Sequence, residues 1–64
     1  MAVVFHGVDG WTATVEEGNF CAPGSALTYH WRVDVKNAEG YILSVTHYKD
    51  GFKAGKDARE MMLD

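Results

Sequence analysis

The chain predicts an α+β domain: a four-stranded antiparallel sheet made of two hairpins, with one short C-terminal helix packed on one face. Three observations carry this. From Tyr29 to Lys36 apolar and polar residues alternate without interruption, and Tyr41 to Lys49 answers them across Ala38-Glu39-Gly40. Asp9-Gly10 separates two further β-type runs, and that dipeptide signals a two-residue type I′ turn because both central residues need positive φ. Ala54, Ala58, Met61 and Met62 then recur at helical spacing.

Taken in order, Ala2 to Val8 and Trp11 to Glu17 form the first hairpin. A two-residue turn sets Val8 opposite Trp11, His6 opposite Ala13 and Val4 opposite Val15 on one face, leaving Phe5, Thr12, Thr14 and Glu16 on the other. Gly18 to Ser25 carries Gly, Asn, Pro and Ser punctuation and reads as the connecting loop, pinned to the core by Phe20 or Leu27.

In the second hairpin Gly40 suits the left-handed position of a three-residue loop, which sets Asn37 opposite Tyr41. Unbroken alternation then pairs Val35 with Leu43, Val33 with Val45, Trp31 with His47 and Tyr29 with Lys49 on the inner face. On the outer face it pairs Lys36 with Ile42, Asp34 with Ser44, Arg32 with Thr46 and His30 with Tyr48. Asp50-Gly51 ends the strand. The helix is expected from Ala54 to Leu63, with Asp57 in its first turn, and at this length it must dock its Met-bearing stripe on the sheet.

A chain of 64 residues allows one domain and one small core. Its two Trp, three Phe and three Tyr must therefore pack efficiently or be shared with a partner, which makes homodimerisation one expected route to stability. The single Cys21 has no intrachain partner for a disulfide, no basic-then-apolar leader is evident, and no run approaches the length of a membrane span. The expected setting is the cytoplasm.

Charge is segregated. The net charge is −3, and no Lys or Arg precedes Arg32, whereas Asp9, Glu16 and Glu17 lie in that first half. From Arg32 onward basic and acidic residues balance. This is not the layout of an electrostatic nucleic-acid binder, and no direct DNA binding is expected. An acidic first half suits a basic partner surface instead.

Catalytic and metal chemistry find no pattern. The three His and single Cys offer neither Cys-x-x-Cys nor His-Glu-x-x-His spacing, and the expected register sends His30 and His47 to opposite faces. Cys21 lacks a nucleophile signature and reads as a half-buried structural thiol. Glu16 and Glu17 point to opposite faces of a strand and make a poor acid/base pair. No cofactor, metal site or catalytic residue is expected. The outer face of the second hairpin, with His30, Arg32, Ile42 and Tyr48, carries residue types enriched at protein interfaces.

The run Tyr41 to Glu60, in which a strand leads into Gly51-Phe52-Lys53 and a helix with an early Ala54, resembles the arm-type DNA-binding domain of phage integrases. That resemblance implies a sheet face in the major groove, with Arg32, Lys36, Lys49, Lys53 and Lys56 as candidates. Taken whole, in size, acidity, aromatic content and architecture, the chain resembles the small anti-CRISPR proteins of phages and mobile elements. This second resemblance implies a non-catalytic inhibitor docking on a basic nucleic-acid-binding or effector-docking surface of a CRISPR surveillance complex. Asp9, Glu16 and Glu17 would steer the encounter, and His30, Arg32, Ile42 and Tyr48 would anchor it.

Overall fold

The computed structural model describes residues 2–21, 24 and 28–63. Four strands, β1 (Ala2–His6), β2 (Thr12–Cys21), β3 (Thr28–Lys36) and β4 (Ile42–Tyr48), form an antiparallel meander in the order β1-β2-β3-β4, and helix α1 (Gly51–Met62) covers one face. The expected α+β architecture is the observed one. Among the described residues no helix is long and apolar enough to cross a membrane.

The Asp9-Gly10 turn forms as its chemistry requires. Asp9 (φ 56°, ψ 27°) and Gly10 (φ 78°) both take positive φ, and the Trp11 N–H donates to the Val8 carbonyl at 3.1 Å. The ladder beneath it nonetheless differs from expectation. Gly7 N–H also donates to Trp11, so two residues of one side oppose one of the other, and pairing resumes as His6–Thr12, Phe5–Ala13 and Val3–Val15. That bulge swaps the faces: Phe5 joins the core side and His6 and Val4 turn outward. The sheet gains by the swap, because Phe5 reaches the helix-covered face beside Ala13.

The Gly40 loop closes as expected. Gly40 adopts φ 90°, Asn37 N–H donates to Tyr41, and Asn37 Oδ1 accepts from the Glu39 and Tyr41 amides. Lys36 pairs with Ile42, also as expected. One position further the ladder slips, with Val35 opposite Ser44, so Leu43 is an extra residue in β4. Every pairing beyond it moves by one: Asp34 meets Val45, Val33 meets Thr46, Arg32 meets His47 and Trp31 meets Tyr48. The inner set expected from alternation, Leu43, Val45 and His47, therefore stands on the open side or at the bulge. β4 is an edge strand, and its register follows the residue that does find cover: Tyr48, packed on the core opposite Trp31 and beside Asp57 of the helix.

Strand β2 runs on through the segment expected as a loop. A bulge between Glu17 and Phe20 carries the pairing over to Phe20–Tyr29 and Cys21–Thr28. Phe20 lies on the open face rather than in the core, Cys21 is exposed rather than half-buried, and Leu27 lies outside the described residues.

The helix starts earlier than its apolar spacing indicated. Asp50 caps it, with Oδ1 accepting from the Phe52 amide at 3.1 Å. Asp57 is consequently mid-helix and not in the first turn. Ala54 and Ala58 are fully buried and let the helix approach Ala13, Val15, Val33 and Val35 closely. Gly51 sits so tightly on Trp31 that a Cβ there would overlap the indole. Met62 closes the far end against Gly7, whereas Met61, expected in the stripe, is largely exposed.

A candidate interaction surface on the open sheet face

With α1 on one side, the opposite face of the sheet carries no covering element among the described residues. Alternation puts Thr12, Thr14 and Glu16 of β2 there, alongside Arg32, Asp34 and Lys36 of β3 and Val45 and His47 of β4. At its centre is Arg32. Its terminal nitrogen donates to Glu16 Oε2 at 3.0 Å across the β2–β3 pair, and the Phe20 ring lies 4.5 Å from the guanidinium carbon. Arg32 Nε faces Asp34 Oδ1 at 3.2 Å outside hydrogen-bonding alignment, so that contact is coulombic, and both atoms are shut off from solvent.

Bulge placement makes this cluster. The extra residue in β2 returns Phe20 over Gly18 and beneath the guanidinium, and the extra residue in β4 brings His47 opposite Arg32. The His47 ring centroid is 6.2 Å from that of Phe20 and 5.7 Å from that of Tyr29, and Lys49 Nζ lies 5.9 Å from the Tyr29 centroid. An aromatic row, Phe20–His47–Tyr29, thus runs between two cations. Beside it Ile42, Leu43 and Val45 are 58%, 46% and 46% exposed.

Of the residues expected to meet a partner, Glu16, Arg32 and Ile42 lie on this side. His30 is exposed beyond the last β3–β4 pair. Tyr48 is not an outer-face anchor, because the slip at Leu43 turns it toward the helix. Burial, then the hydrogen bond to Asp57 and that carboxylate's charge, push its hydroxyl up to about 12. Nor do the three acids share one face: Asp9 sits in the β1–β2 turn, Glu16 is ion-paired on the open face, and Glu17 opposes Trp31 on the helix side. The same slip carries His47 to the open face, and among the described residues no three His, Cys, Asp or Glu side chains gather to hold a metal ion.

Alternation places Asp34 on the outer face, where it is found. Leu43, Val45, His47 and Tyr29 are expected on the inner face and Phe20 in the core. The bulges in β2 and β4 bring Phe20, Leu43, Val45 and His47 to this side, and Tyr29 joins them against His47. Against family models, curated proteins and solved structures, the chain matches none.

The centre of the surface is a fixed, planar, partly desolvated guanidinium, and its border is aliphatic and half open to water. Arg and aromatic side chains such as these are types enriched at the centres of protein interfaces.

Proposed function

We propose that the protein is a non-catalytic binding protein that docks its open sheet face on a larger partner. What supports this reading is the Arg32 cluster: a guanidinium clamped by Glu16, Asp34 and Phe20 beside exposed Ile42, Leu43 and Val45, on a face the helix leaves bare. An Arg already immobilised loses little side-chain entropy on binding, and adjacent aliphatic surface supplies the hydrophobic gain.

The partner we propose is a CRISPR surveillance complex in the host bacterial cytosol, which makes the chain a phage-type inhibitor. This part rests on the resemblance in size, acidity and architecture, together with the net charge of −3. Asp9 and Glu17, both exposed, remain available to steer the approach to a basic surface, whereas Glu16 is engaged with Arg32. The integrase-arm alternative gains nothing from the geometry. Arg32 is neutralised by two carboxylates, and Lys53 and Lys56 sit on the helix, across the sheet from Lys36.

The deciding measurement is binding kinetics of the wild type and Val45→Asp against a purified surveillance complex, with duplex DNA as a parallel arm. Val45 is 46% exposed, but its cross-strand partner is Asp34, so a carboxylate there costs some stability and circular dichroism must show the variant folded before its kinetics are read. Faster dissociation by about tenfold or more supports the docking face. Unchanged kinetics refute that face, the absence of any complex binding refutes the partner, and tight duplex binding transfers the reading to the integrase-arm type.

A further inference from the structure

We infer that strand β1 is the interface of a symmetric homodimer, in which two copies of Ala2–His6 pair antiparallel and each copy inserts side chains into the cleft between β1 and α1 of the other. The inference is independent of the docking face proposed above.

Four observations lead to it. First, β1 is a free edge of the sheet without charged or Pro guards: Ala2, Val3, Val4, Phe5 and His6 include no Lys, Asp, Glu or Pro, and their pairing to β2 is unshifted from Ala2–Glu16 to His6–Thr12, the Gly7-Val8 bulge lying beyond its end. The other edge, β4, is also uncharged but is bent by the bulge at Leu43. Second, a cleft of about 570 Å³ lies between Phe5 of β1 and the helix, walled there by Phe52, Lys56, Arg59, Glu60 and Leu63. Phe52 and Leu63 are 81% and 64% exposed, an unusual state for such side chains lining one groove.

Third, the edge is complementary to itself. A two-fold axis at Val4 sets Val3 opposite the other copy's Phe5 and Ala2 opposite its His6. Val3 and Phe5 lie on the helix side in both copies, so they project toward the clefts, while Val4 meets Val4 on the open side. The cleft wall carries charges of both signs, Lys56 and Arg59 with Glu60.

Fourth, the monomer's core is meagre. Among the described residues its buried apolar side chains are Ala13, Val15, Val33, Val35, Ala54 and Ala58, and the largest completely buried one is Val33. The surface of 4432 Å² exceeds the roughly 4,100 Å² expected of a compact 7.1 kDa monomer. Chains of this size commonly make up such a deficit by oligomerising. The dimer joins two four-stranded sheets into one and leaves both open faces on the same side.

The test is solution mass by light scattering and sedimentation. Wild type is expected at twice 7.1 kDa. Val4→Glu and Val4→Lys, at a residue 47% exposed and so tolerant of change, should each shift to monomer with an unaltered circular dichroism spectrum, because like charges then oppose across the axis. Mixing the two variants should restore dimers. Val45→Asp, far from β1, should leave the dimer whole. A wild type still monomeric at about 100 μM, a strength of association too weak to matter for folding, overturns the inference. So does a dimer that survives Val4→Glu, a mixture that stays monomeric, or a monomer whose β1 edge instead takes up a foreign strand.

Discussion

Glu16 Oε2 lies 3.0 Å from the Arg32 guanidinium across the β2–β3 pair, and that bond holds the guanidinium over the Phe20 ring and against the Asp34 carboxylate. The three partners are unequal. Glu16 is 43% exposed, so water can replace Arg32 there, whereas Asp34 at 13% has little other solvation.

Arg32→Ala is therefore expected to destabilise the fold by about 1–3 kcal/mol, mostly by leaving Asp34 desolvated without its cation. Glu16→Gln should change stability by less than about 1 kcal/mol, as exposed ion pairs do. Combining Arg32→Ala with Asp34→Ala should cost less than the sum of the two single changes. Urea denaturation of the four variants reads all of this, and additivity within error would mean that the pair is not coupled.

Tyr48 supplies a pH prediction. Its hydroxyl is raised to about 12 from an ordinary value of 10.0, chiefly by burial and secondarily by Asp57. A raised folded-state value means that the stabilisation is complete below the unfolded value and disappears as pH climbs through the folded one. Stability should thus fall between about pH 10 and 12. Tyrosinate absorbance at 295 nm should show a late step, and Asp57→Asn should move that step to lower pH. A step that does not respond to Asp57 would leave burial as its sole cause.

Two glycines of one helix should respond oppositely to alanine. At Gly51 the added Cβ overlaps the Trp31 indole, so Gly51→Ala should destabilise by about 1–3 kcal/mol. At Gly55 nothing lies within 4 Å of an added Cβ, and Gly55→Ala should stabilise the helix by about 0.5–1 kcal/mol. Thermal denaturation compares the pair directly, and the same sign for both would be at odds with the docking of α1 on Trp31.

Duplex DNA should bind weakly and non-specifically at physiological salt, because the central cation of the open face is already neutralised and the remaining Lys are divided between the two sides of the sheet. Fluorescence anisotropy against a labelled duplex measures it. Submicromolar, salt-sensitive affinity would contradict the expectation.

The two hairpins, the closing helix and both turn conformations were legible in the chain because each depends on contacts a few residues long. Alternation requires only that side chains point to opposite faces of a strand, and the positive φ of Asp9, Gly10 and Gly40 belongs to the turns themselves. Strand β2 could be seen to begin but not to continue, since the Gly18-Asn19 pair that suggested a loop is instead absorbed in a bulge.

What only the tertiary structure decided is which way each strand faces beyond its turn. A bulge adds one residue without altering the local pattern, and one residue is enough to exchange the faces. At Gly7-Val8 the exchange brings Phe5 beneath the helix, and at Leu43 it brings Tyr48 against Trp31 while sending His47 out to Arg32. Those choices are made by packing against the helix, an element outside each strand's own pattern. Alternation could therefore say that the sheet has two unlike faces, and only the docking of Ala54 and Ala58 decided which residues meet solvent.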